Sequence, residues 1–344
     1  MGKKIMHILS SNSYSGAENV VINIINSLSN DYDFAYVSPE GPIQEVLKEK
    51  NIIHIPIKSM NPYYLNMIFR KWKPDIIHAH DFRASVSSAL SLYPCYKISH
   101  LHQNPLWIRK INLYSLVYFI TCLFYDKIVV VSNEILEEAV FLKLFKYKSY
   151  ILQNNIDINN ILKLSDTGKS NKKYDVAFIG RLTEAKDPLR FVRVINKVIA
   201  YRPGTRIVIV GDGILRNEVK TLIMQLELNT NVEMMGFLSN PYEILNNSKL
   251  LVMTSKWEGF GIVAVEAMAL GKPVFASPVG GLKSIIKEDC GGFCETDEDF
   301  IKNILESLSN DDYYKKMSYN SKKNARKFGN KKRWIRRIRY LYEH

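Results

Sequence analysis

Residues 250–269 read Leu250-Leu-Val-Met-Thr-Ser-Lys-Trp-Glu258-Gly-Phe-Gly261-Ile-Val-Ala-Val-Glu266-Ala-Met-Ala. The first four residues predict a short buried strand, the glycines a tight loop, and the apolar run after Gly261 a helix. A helix that begins directly after such a loop points free backbone N–H groups at an anion. Glu258 in the loop and Glu266, about two helical turns later, could contact one extended ligand. A solvated Glu258 and a Glu266 that only favours the helix terminus are the simpler alternative.

The same alternation of short apolar runs and helical patterns extends over the whole chain. Strands are predicted at residues 4–9, 34–37, 52–55, 75–80, 97–102, 127–131 and 149–152, and then at 175–179, 206–210, 231–235, 250–253 and 273–276. This order favours parallel sheets with right-handed crossovers. The 344 residues, 47% of them hydrophobic, exceed what one compact core usually holds. We therefore predict an α/β fold of two Rossmann-like, doubly wound domains that face each other across a cleft.

The domain boundaries are predicted from a polar stretch near the middle and a basic tail. We assign residues 1–162 and 174–325 to the two domains, 163–173 to a linker and 326–344 to a C-terminal helix. Twelve Lys or Arg against three Asp or Glu follow residue 310, so much of the net charge of +13 lies there. This helix also has an apolar side, so it either packs back on the N-terminal domain or binds an anionic surface or nucleic acid.

A second motif, Phe178-Ile-Gly180-Arg181-Leu-Thr-Glu-Ala-Lys186-Asp187-Pro188, also follows a predicted strand. Arg181 and Lys186 place two cations on one loop, just before a helix that Asp187-Pro188 would start. Two positioned cations would stabilise an anionic leaving group such as a diphosphate. An ordinary charged surface loop is the alternative.

In the first half, histidines end two predicted strands. His78 and His80 share one face of the first of these strands, and His100 and His102 share one face of the next. Metal binding is conceivable, but no acidic pair completes an obvious site. We prefer hydrogen-bonding histidines, one of which contacts a substrate. Earlier in the chain, Gly16 would allow a phosphate to approach the start of the first helix.

The sequence also indicates the cellular compartment of the protein. The first nine residues predict a β-strand and not a secretory signal. The four cysteines are few, which is typical of a reducing compartment. The longest uncharged run, residues 111–125, is shorter than the roughly 20 residues of a spanning helix. It predicts either a buried or half-buried helix or a helix at a membrane surface.

In their order and spacing, these motifs resemble the family 4 retaining glycosyltransferases of GT-B architecture. The resemblance rests on Gly180-Arg-x4-Lys186, Gly211-Asp-Gly213, Glu258-x7-Glu266 and Gly280-Gly281. The chain departs from the family where Ser15 replaces a frequent glycine, where Asn155 replaces the glycine of Asn-Gly-x-Asp, and where Lys283-Ser284 stands in place of a usual glutamate. None of these departures affects the two acids or the two cations.

The resemblance implies a role for each candidate site residue. Arg181 and Lys186 would bind the donor diphosphate, Glu258 and His102 would lie at the transferred sugar, and Glu266 would bind the ribose hydroxyls. The other donor-binding positions that it implies are Gly16, Gly180, Gly259, Phe260, Gly261, Ile262 and Val263. It implies neither a metal nor any other cofactor.

The implied function is transfer of a sugar, with retention, from a UDP- or GDP-sugar to a saccharide or lipid-linked saccharide. The N-terminal domain would bind the acceptor and the C-terminal domain the nucleotide sugar. We expect a cytoplasmic enzyme of cell-surface polysaccharide or glycolipid biosynthesis, peripheral at the inner face of the plasma membrane, without nucleic acid as a partner. Two alternatives are a nucleotide-sugar epimerase on the same fold and a non-enzymatic protein that binds nucleic acid or an anionic surface.

Overall fold

The computed structural model describes residues 2–166, 168 and 172–344. The described chain forms two compact units. The first comprises the chain up to Asn155 together with Lys331–His344, and the second comprises Ile156–Asn330.

The first unit is built on a seven-stranded parallel sheet in the order β3-β2-β1-β4-β5-β6-β7. Its strands are β1 (Lys4–Ile8), β2 (Asp33–Pro39), β3 (His54–Ile57), β4 (Ile76–Ala79), β5 (Tyr96–Leu101), β6 (Lys127–Val130) and β7 (Ser149–Ile151). Its helices are α1 (Gly16–Leu28), α2 (Ile43–Glu49), α3 (Pro62–Trp72), α4 (Phe82–Leu90), α5 (Leu113–Leu123), α6 (Asn133–Glu138) and α15 (Lys331–Glu343), with 3-10 helices at Leu106–Arg109 and Leu142–Lys148. The central strands are apolar because helices cover both faces of such a sheet.

The second unit has a six-stranded parallel sheet in the order β10-β9-β8-β11-β12-β13. Its strands are β8 (Tyr174–Ile179), β9 (Ile207–Val210), β10 (Val232–Gly236), β11 (Ser248–Met253), β12 (Val274–Ala276) and β13 (Gly291–Phe293). Its helices are α7 (Ile158–Ser165), α8 (Pro188–Tyr201), α9 (Arg216–Gln225), α10 (Tyr242–Asn246), α11 (Ile262–Ala269), α12 (Leu282–Ile285), α13 (Asp297–Ser309) and α14 (Asp311–Ala325), with 3-10 helices at Glu288–Cys290 and Arg326–Phe328. Val176, Ile209 and Val252 of the central strands pack with Phe191 of α8 in the core.

The C-terminal helix belongs to the first unit, which confirms the prediction that it packs back on the N-terminal domain. Its buried side chains are Trp334, Ile338, Leu341 and Tyr342. Lys3 Nζ donates to the Tyr342 carbonyl (2.8 Å), and Arg339 forms an ion pair with Asp31 (2.6 Å). The helix begins at Lys331, later than the expected residue 326, because residues 326–330 belong to the second unit.

The expected linker at residues 163–173 overlaps a helix. Helix α7 extends to Ser165 and belongs to the second unit. The Asp157 side chain caps it by accepting from the Asn160 N–H (3.0 Å), and Ile161 is buried. The polar residues of this helix made its sequence look like a linker. Thr167 and residues 169–171 of the expected linker lie outside the described residues.

Candidate functional site

In the second unit, the candidate site lies where β8 and β11 pair in the middle of the sheet. The strand order reverses direction there, and the carboxyl ends of the strands at such a point are the usual ligand site of a doubly wound sheet. Gly180 and Arg181 follow β8, and residues 254–258 follow β11. The two loops are joined by a bond from the Lys256 N–H to the Ala185 carbonyl (2.9 Å). The Thr254 hydroxyl donates to the Asp187 carbonyl (2.9 Å). The two motifs identified in the sequence are therefore in contact.

An ion pair lies at the centre of this junction. Lys186 Nζ donates to Glu258 Oε1, and the Ser255 hydroxyl donates to the same oxygen (3.1 Å). The Glu258 side chain is 8% exposed and that of Lys186 is 20% exposed. A nearly buried carboxylate requires such compensation, since an unpaired charge in the interior is costly. The structure thus brings together a cation and an acid that sequence analysis placed on separate motifs.

Arg181 differs from Lys186 although both lie on the same loop. Its side chain is exposed, and it forms no ion pair with any residue that the structure describes. A guanidinium without a carboxylate partner can bind two oxygens of an incoming anion without first breaking a bond.

Glu266 lies on α11 and is buried. The Tyr242 hydroxyl donates to its Oε1 (2.9 Å). Burial raises the pKa of the Glu266 carboxyl to about 7, against a smaller lowering by the Tyr242 bond. The protonated and ionised forms of this carboxyl are therefore both populated near neutral pH.

Two glycines let the Glu258 loop approach the chain after β12. Gly261 precedes α11 with φ of 91°, and a Cβ there would lie 2.4 Å from a Leu282 methyl. Gly280 has φ of 48°, and its Cβ would lie 1.8 Å from the Glu258 carbonyl oxygen. Only glycine fits at either position. Phe260 is buried against Phe328, so its side chain belongs to the core and only its backbone faces the start of α11.

The remaining donor-binding positions are distributed as follows. Gly180, Gly259, Ile262 and Val263 lie in the second unit with the acids and cations. Gly16 and His102 lie in the first unit, where Gly16 is exposed at the start of α1.

The first unit carries five histidines at the carboxyl ends of three adjacent strands. His7 of β1 is directly opposite His78 of β4, and His100 lies on β5. His80 directly follows β4, and His102 directly follows β5. One hydrogen-bonded series runs from His7 Nδ1 to His80 Nε2 (2.7 Å) and from His80 Nδ1 to His102 Nε2 (2.9 Å). Another joins the Tyr342 hydroxyl to His78 (3.1 Å) and His78 to His100 (3.2 Å).

All five imidazoles in this cluster are held neutral. Burial lowers the pKa of His7 and of His102 to about 3, and it lowers the pKa values of His78, His80 and His100 well below the ordinary value. A neutral imidazole has one donor and one acceptor nitrogen. Three nitrogens nevertheless have no partner within the described residues, namely His7 Nε2, His100 Nε2 and His102 Nδ1.

Helix α5 has an unusual distribution of apolar residues. It buries Ser115, Tyr118, Thr121 and Cys122 and exposes Leu113, Leu116, Ile120 and Leu123. The exposed residues recur at helical spacing and form one stripe, which we call the α5 surface. The neighbouring 3-10 helix Leu142–Lys148 contacts α5 through Phe145 and Phe119, and it exposes Leu144 and Tyr147 beside Lys143 and Lys146. Within the described residues, every helix is too short or too polar to cross a bilayer.

Sequence analysis missed Ser255 and Tyr242, which bond to the two acids. Ser255 directly precedes the Glu258 loop and its hydroxyl could have been suspected. Tyr242 is 24 residues from Glu266 on another helix, and nothing in the local pattern connects the two.

Comparisons with known proteins identify the family and the fold of the chain. Residues 162–324 match the family described as glycosyl transferases group 1, and residues 14–160 match glycosyltransferase family 4. An uncharacterized glycosyltransferase of Methanocaldococcus jannaschii is 30% identical over 72% of this chain and 69% of that protein. The UDP-Gal:alpha-D-GlcNAc-diphosphoundecaprenol alpha-1,3-galactosyltransferase of Escherichia coli is 25% identical over 92% of this chain and 90% of that protein. The structure of Anabaena HepE in complex with UDP and glucose has the same fold, with a TM-score of 0.86 and 19% identity over 99% of each chain.

Proposed function

Because the chain belongs to the group 1 glycosyltransferases of family 4, which have the GT-B fold, we propose that it transfers a sugar from a nucleotide diphosphate to a lipid-linked saccharide with retention. The observation that carries the proposal is the ion pair of Lys186 and Glu258 at the strand ends of the second unit, on the loop that also carries Arg181. Transfer from such a donor requires a cation for the diphosphate beside an acid for the sugar, and this pair supports the proposal.

In the proposed reaction, the acceptor hydroxyl attacks the anomeric carbon on the face that the diphosphate leaves. The new C–O bond forms as the old one breaks, the electron pair leaves with the diphosphate, and a phosphate oxygen takes the hydroxyl proton. Arg181, Lys186 and the N–H groups at the start of α11 stabilise the departing charge. Protein groups supply this stabilisation, so we propose that no metal is needed. We propose that His102 contacts the transferred sugar, as the family resemblance implies.

We propose UDP as the nucleotide of the donor. The support is that the Escherichia coli relative is named for UDP-Gal and that HepE was solved with UDP. We propose that Glu266 accepts from the ribose hydroxyls, as the family resemblance implies. Ribose hydroxyls that replace the Tyr242 bond or add to it would favour the ionised carboxylate.

The acceptor proposal rests on the α5 surface. A soluble helix normally buries its apolar side, whereas α5 exposes four aliphatic side chains, of which Leu113 is 73% exposed. Ile111, which precedes the helix, is 71% exposed. Lys110, Lys143 and Lys146 are exposed nearby and would attract anionic headgroups. A lipid-linked acceptor, as in the name of the Escherichia coli relative, would be met at such a membrane. We therefore propose peripheral binding at the inner face of the plasma membrane and a role in polysaccharide or glycolipid synthesis.

The basic C-terminal helix gives less support to nucleic-acid binding than its composition suggested. Arg337 donates to the Tyr150 hydroxyl (3.1 Å) and to the backbone of β7, and Arg339 pairs with Asp31. These cations hold the helix to its own unit. The epimerase alternative provides no role for the α5 surface.

The donor site is tested by thermal-shift binding with EDTA present, against UDP, GDP, ADP, dTDP and their sugars. We expect selective stabilisation by UDP and one UDP-sugar, lost in Glu266→Ala and retained in Glu298→Ala, whose exposed side chain lies on α13. No stabilisation by any nucleotide, together with stabilisation by single-stranded nucleic acid, would reject the transferase proposal.

A further inference from the structure

Five of the seven histidines of the chain form the cluster at the strand ends of the first unit. We propose that three of them, His80, His100 and His102, bind a transition-metal ion of the Zn²⁺ class. We call these three the outer triad, and we call His7, His78 and His80 the inner triad.

The geometry of the outer triad suits an ion after small side-chain movements. One nitrogen from each of the three rings lies within 4.8 Å of the others. Zn–N bonds of 2.0–2.1 Å in a tetrahedral site place two ligand nitrogens about 3.3 Å apart. The His80 Nδ1 to His102 Nε2 distance is 2.9 Å. An ion that replaces the proton between them would open this distance by only about 0.4 Å.

The hydrogen-bonding pattern also points to a ligand. His100 Nε2, which would supply the third ligand atom, is buried without a partner in the described chain. Buried polar atoms normally have partners, because leaving one unpaired costs free energy. An ion held between His80 Nδ1 and His102 Nε2 would give His100 Nε2 a partner that the described chain does not supply.

Exposure to water distinguishes the outer triad from the inner one. Both triads consist of neutral imidazoles, and the groups that act electrostatically on these rings are the rings themselves. The neutral ligands would therefore not offset the charge of a divalent ion, and an uncompensated charge is costly away from water. All three residues of the inner triad are buried, whereas His102 of the outer triad is half-buried. Water can complete the coordination only at the outer triad, as in zinc sites with three protein ligands.

The donor set determines the class of metal. Imidazole nitrogen suits Zn²⁺, Co²⁺, Ni²⁺ and Cu²⁺, whereas Mg²⁺ and Ca²⁺ require oxygen ligands. If His102 serves the transferred sugar, a statement that rests on the proposed function, Zn²⁺ bound here would inhibit transfer. The metal is thus a regulator and not a participant in the reaction.

The test uses Co²⁺ as a spectroscopic probe with untagged protein that has been dialysed against EDTA. We expect the intense visible absorption of four-coordinate Co²⁺, saturating at one equivalent, displaced by Zn²⁺ and unaffected by Mg²⁺. Only the weak spectrum of hydrated Co²⁺ would overturn the proposal. This readout does not depend on transferase activity, so the metal site and the proposed function can fail separately.

Variants locate the site. His100→Phe removes a ligand of the outer triad only, and His78→Phe removes one of the inner triad only, although the two rings are hydrogen-bonded neighbours. We expect loss of the Co²⁺ spectrum in His100→Phe and its retention in His78→Phe and in His54→Phe, a histidine outside the cluster that bonds to Ser38 (3.1 Å). A spectrum retained in folded His100→Phe, or lost in folded His78→Phe, would overturn the assignment.

A measurement on the parent protein covers the case in which a variant does not fold. X-ray absorption of the Zn²⁺-loaded protein should show three imidazole ligands and one oxygen. A shell of oxygen ligands, or fewer than three imidazoles, would overturn the outer triad as the site.

Discussion

The strand ends of the two sheets bury polar groups in opposite ways. In the second unit, Lys186 and Glu258 are both charged and neutralise each other. In the first unit, four buried histidines and the half-buried His102 form neutral rings joined by hydrogen bonds. The difference teaches that a carboxylate keeps its charge in an interior only when a cation is fixed beside it, whereas an imidazole can lose its proton. We propose a diphosphate as the ligand beside the charged junction, and a sugar hydroxyl or a metal ion as the ligand of the neutral cluster.

The largest expected effect is on the charged junction. Arg181→Ala and Lys186→Ala should each slow transfer by about 100-fold or more, because each removes a group that stabilises the leaving diphosphate. Only Lys186→Ala should also lower stability, since it leaves Glu258 buried without its cation. Rates at saturating donor and urea unfolding measure the two effects.

Lys197→Ala is the control for these variants, because its ion pair with Glu298 is exposed and lies on α8 and α13. It should retain the parental rate. A rate within a few-fold of the parent for Arg181→Ala or Lys186→Ala would contradict the proposed roles.

The next effect concerns the α5 surface of the first unit, which has no charge of its own. Leu116→Asn and Ile120→Asn should each weaken binding to phosphatidylglycerol vesicles by about tenfold, since each removes about 1.5 kcal/mol of apolar burial. Co-sedimentation at low salt measures this. Ile53→Asn, at a residue that is 60% exposed between β2 and β3, should bind as the parent does. Equal binding by all three variants would exclude α5 from the membrane contact.

Glu266 combines features of the two sites, because it is a buried acid that has a hydrogen-bond donor but, among the described residues, no cation beside it. Its pKa in the folded protein is about 7, above the ordinary value of 4.5. Between these values the folded state holds a proton that the unfolded state has lost, so stability should fall as pH rises from 4.5 to 7, by at most about 1.4 kcal/mol per pH unit. Urea unfolding of the parent and of Glu266→Gln at several pH values measures the difference. Parallel profiles would show that Glu266 ionises normally.

The smallest effect is expected at the exposed pair of Lys256 and Glu184, which joins the same two loops as Lys186 and Glu258. Both of its side chains are largely in water. Lys256→Ala should therefore change the free energy of unfolding by less than about 1 kcal/mol. A loss equal to that of Lys186→Ala would show that burial is not what distinguishes the pairs.

Much of the fold could be predicted from the sequence. Buried parallel strands are continuous apolar runs, so β1, β8 and β11 were found close to their observed positions. The error was larger at β3, where the expected 52–55 is observed as His54–Ile57, because an edge strand is less apolar and its ends are weakly marked. The short strand β13, Gly291–Phe293, was missed for the same reason.

Local pattern identified the candidate site residues, since glycine loops, paired cations and alternating histidines are recognisable in the sequence alone. It also determined that the chain makes two sheets, because strand and helix periodicities depend on neighbours a few residues away. Tertiary structure alone decided which groups meet. Lys186 and Glu258 are 72 residues apart, and His7 and His80 are 73 apart. Tertiary structure also decided that α5 exposes its leucines, because which side of a helix is covered depends on the neighbours that pack against it and not on its own composition.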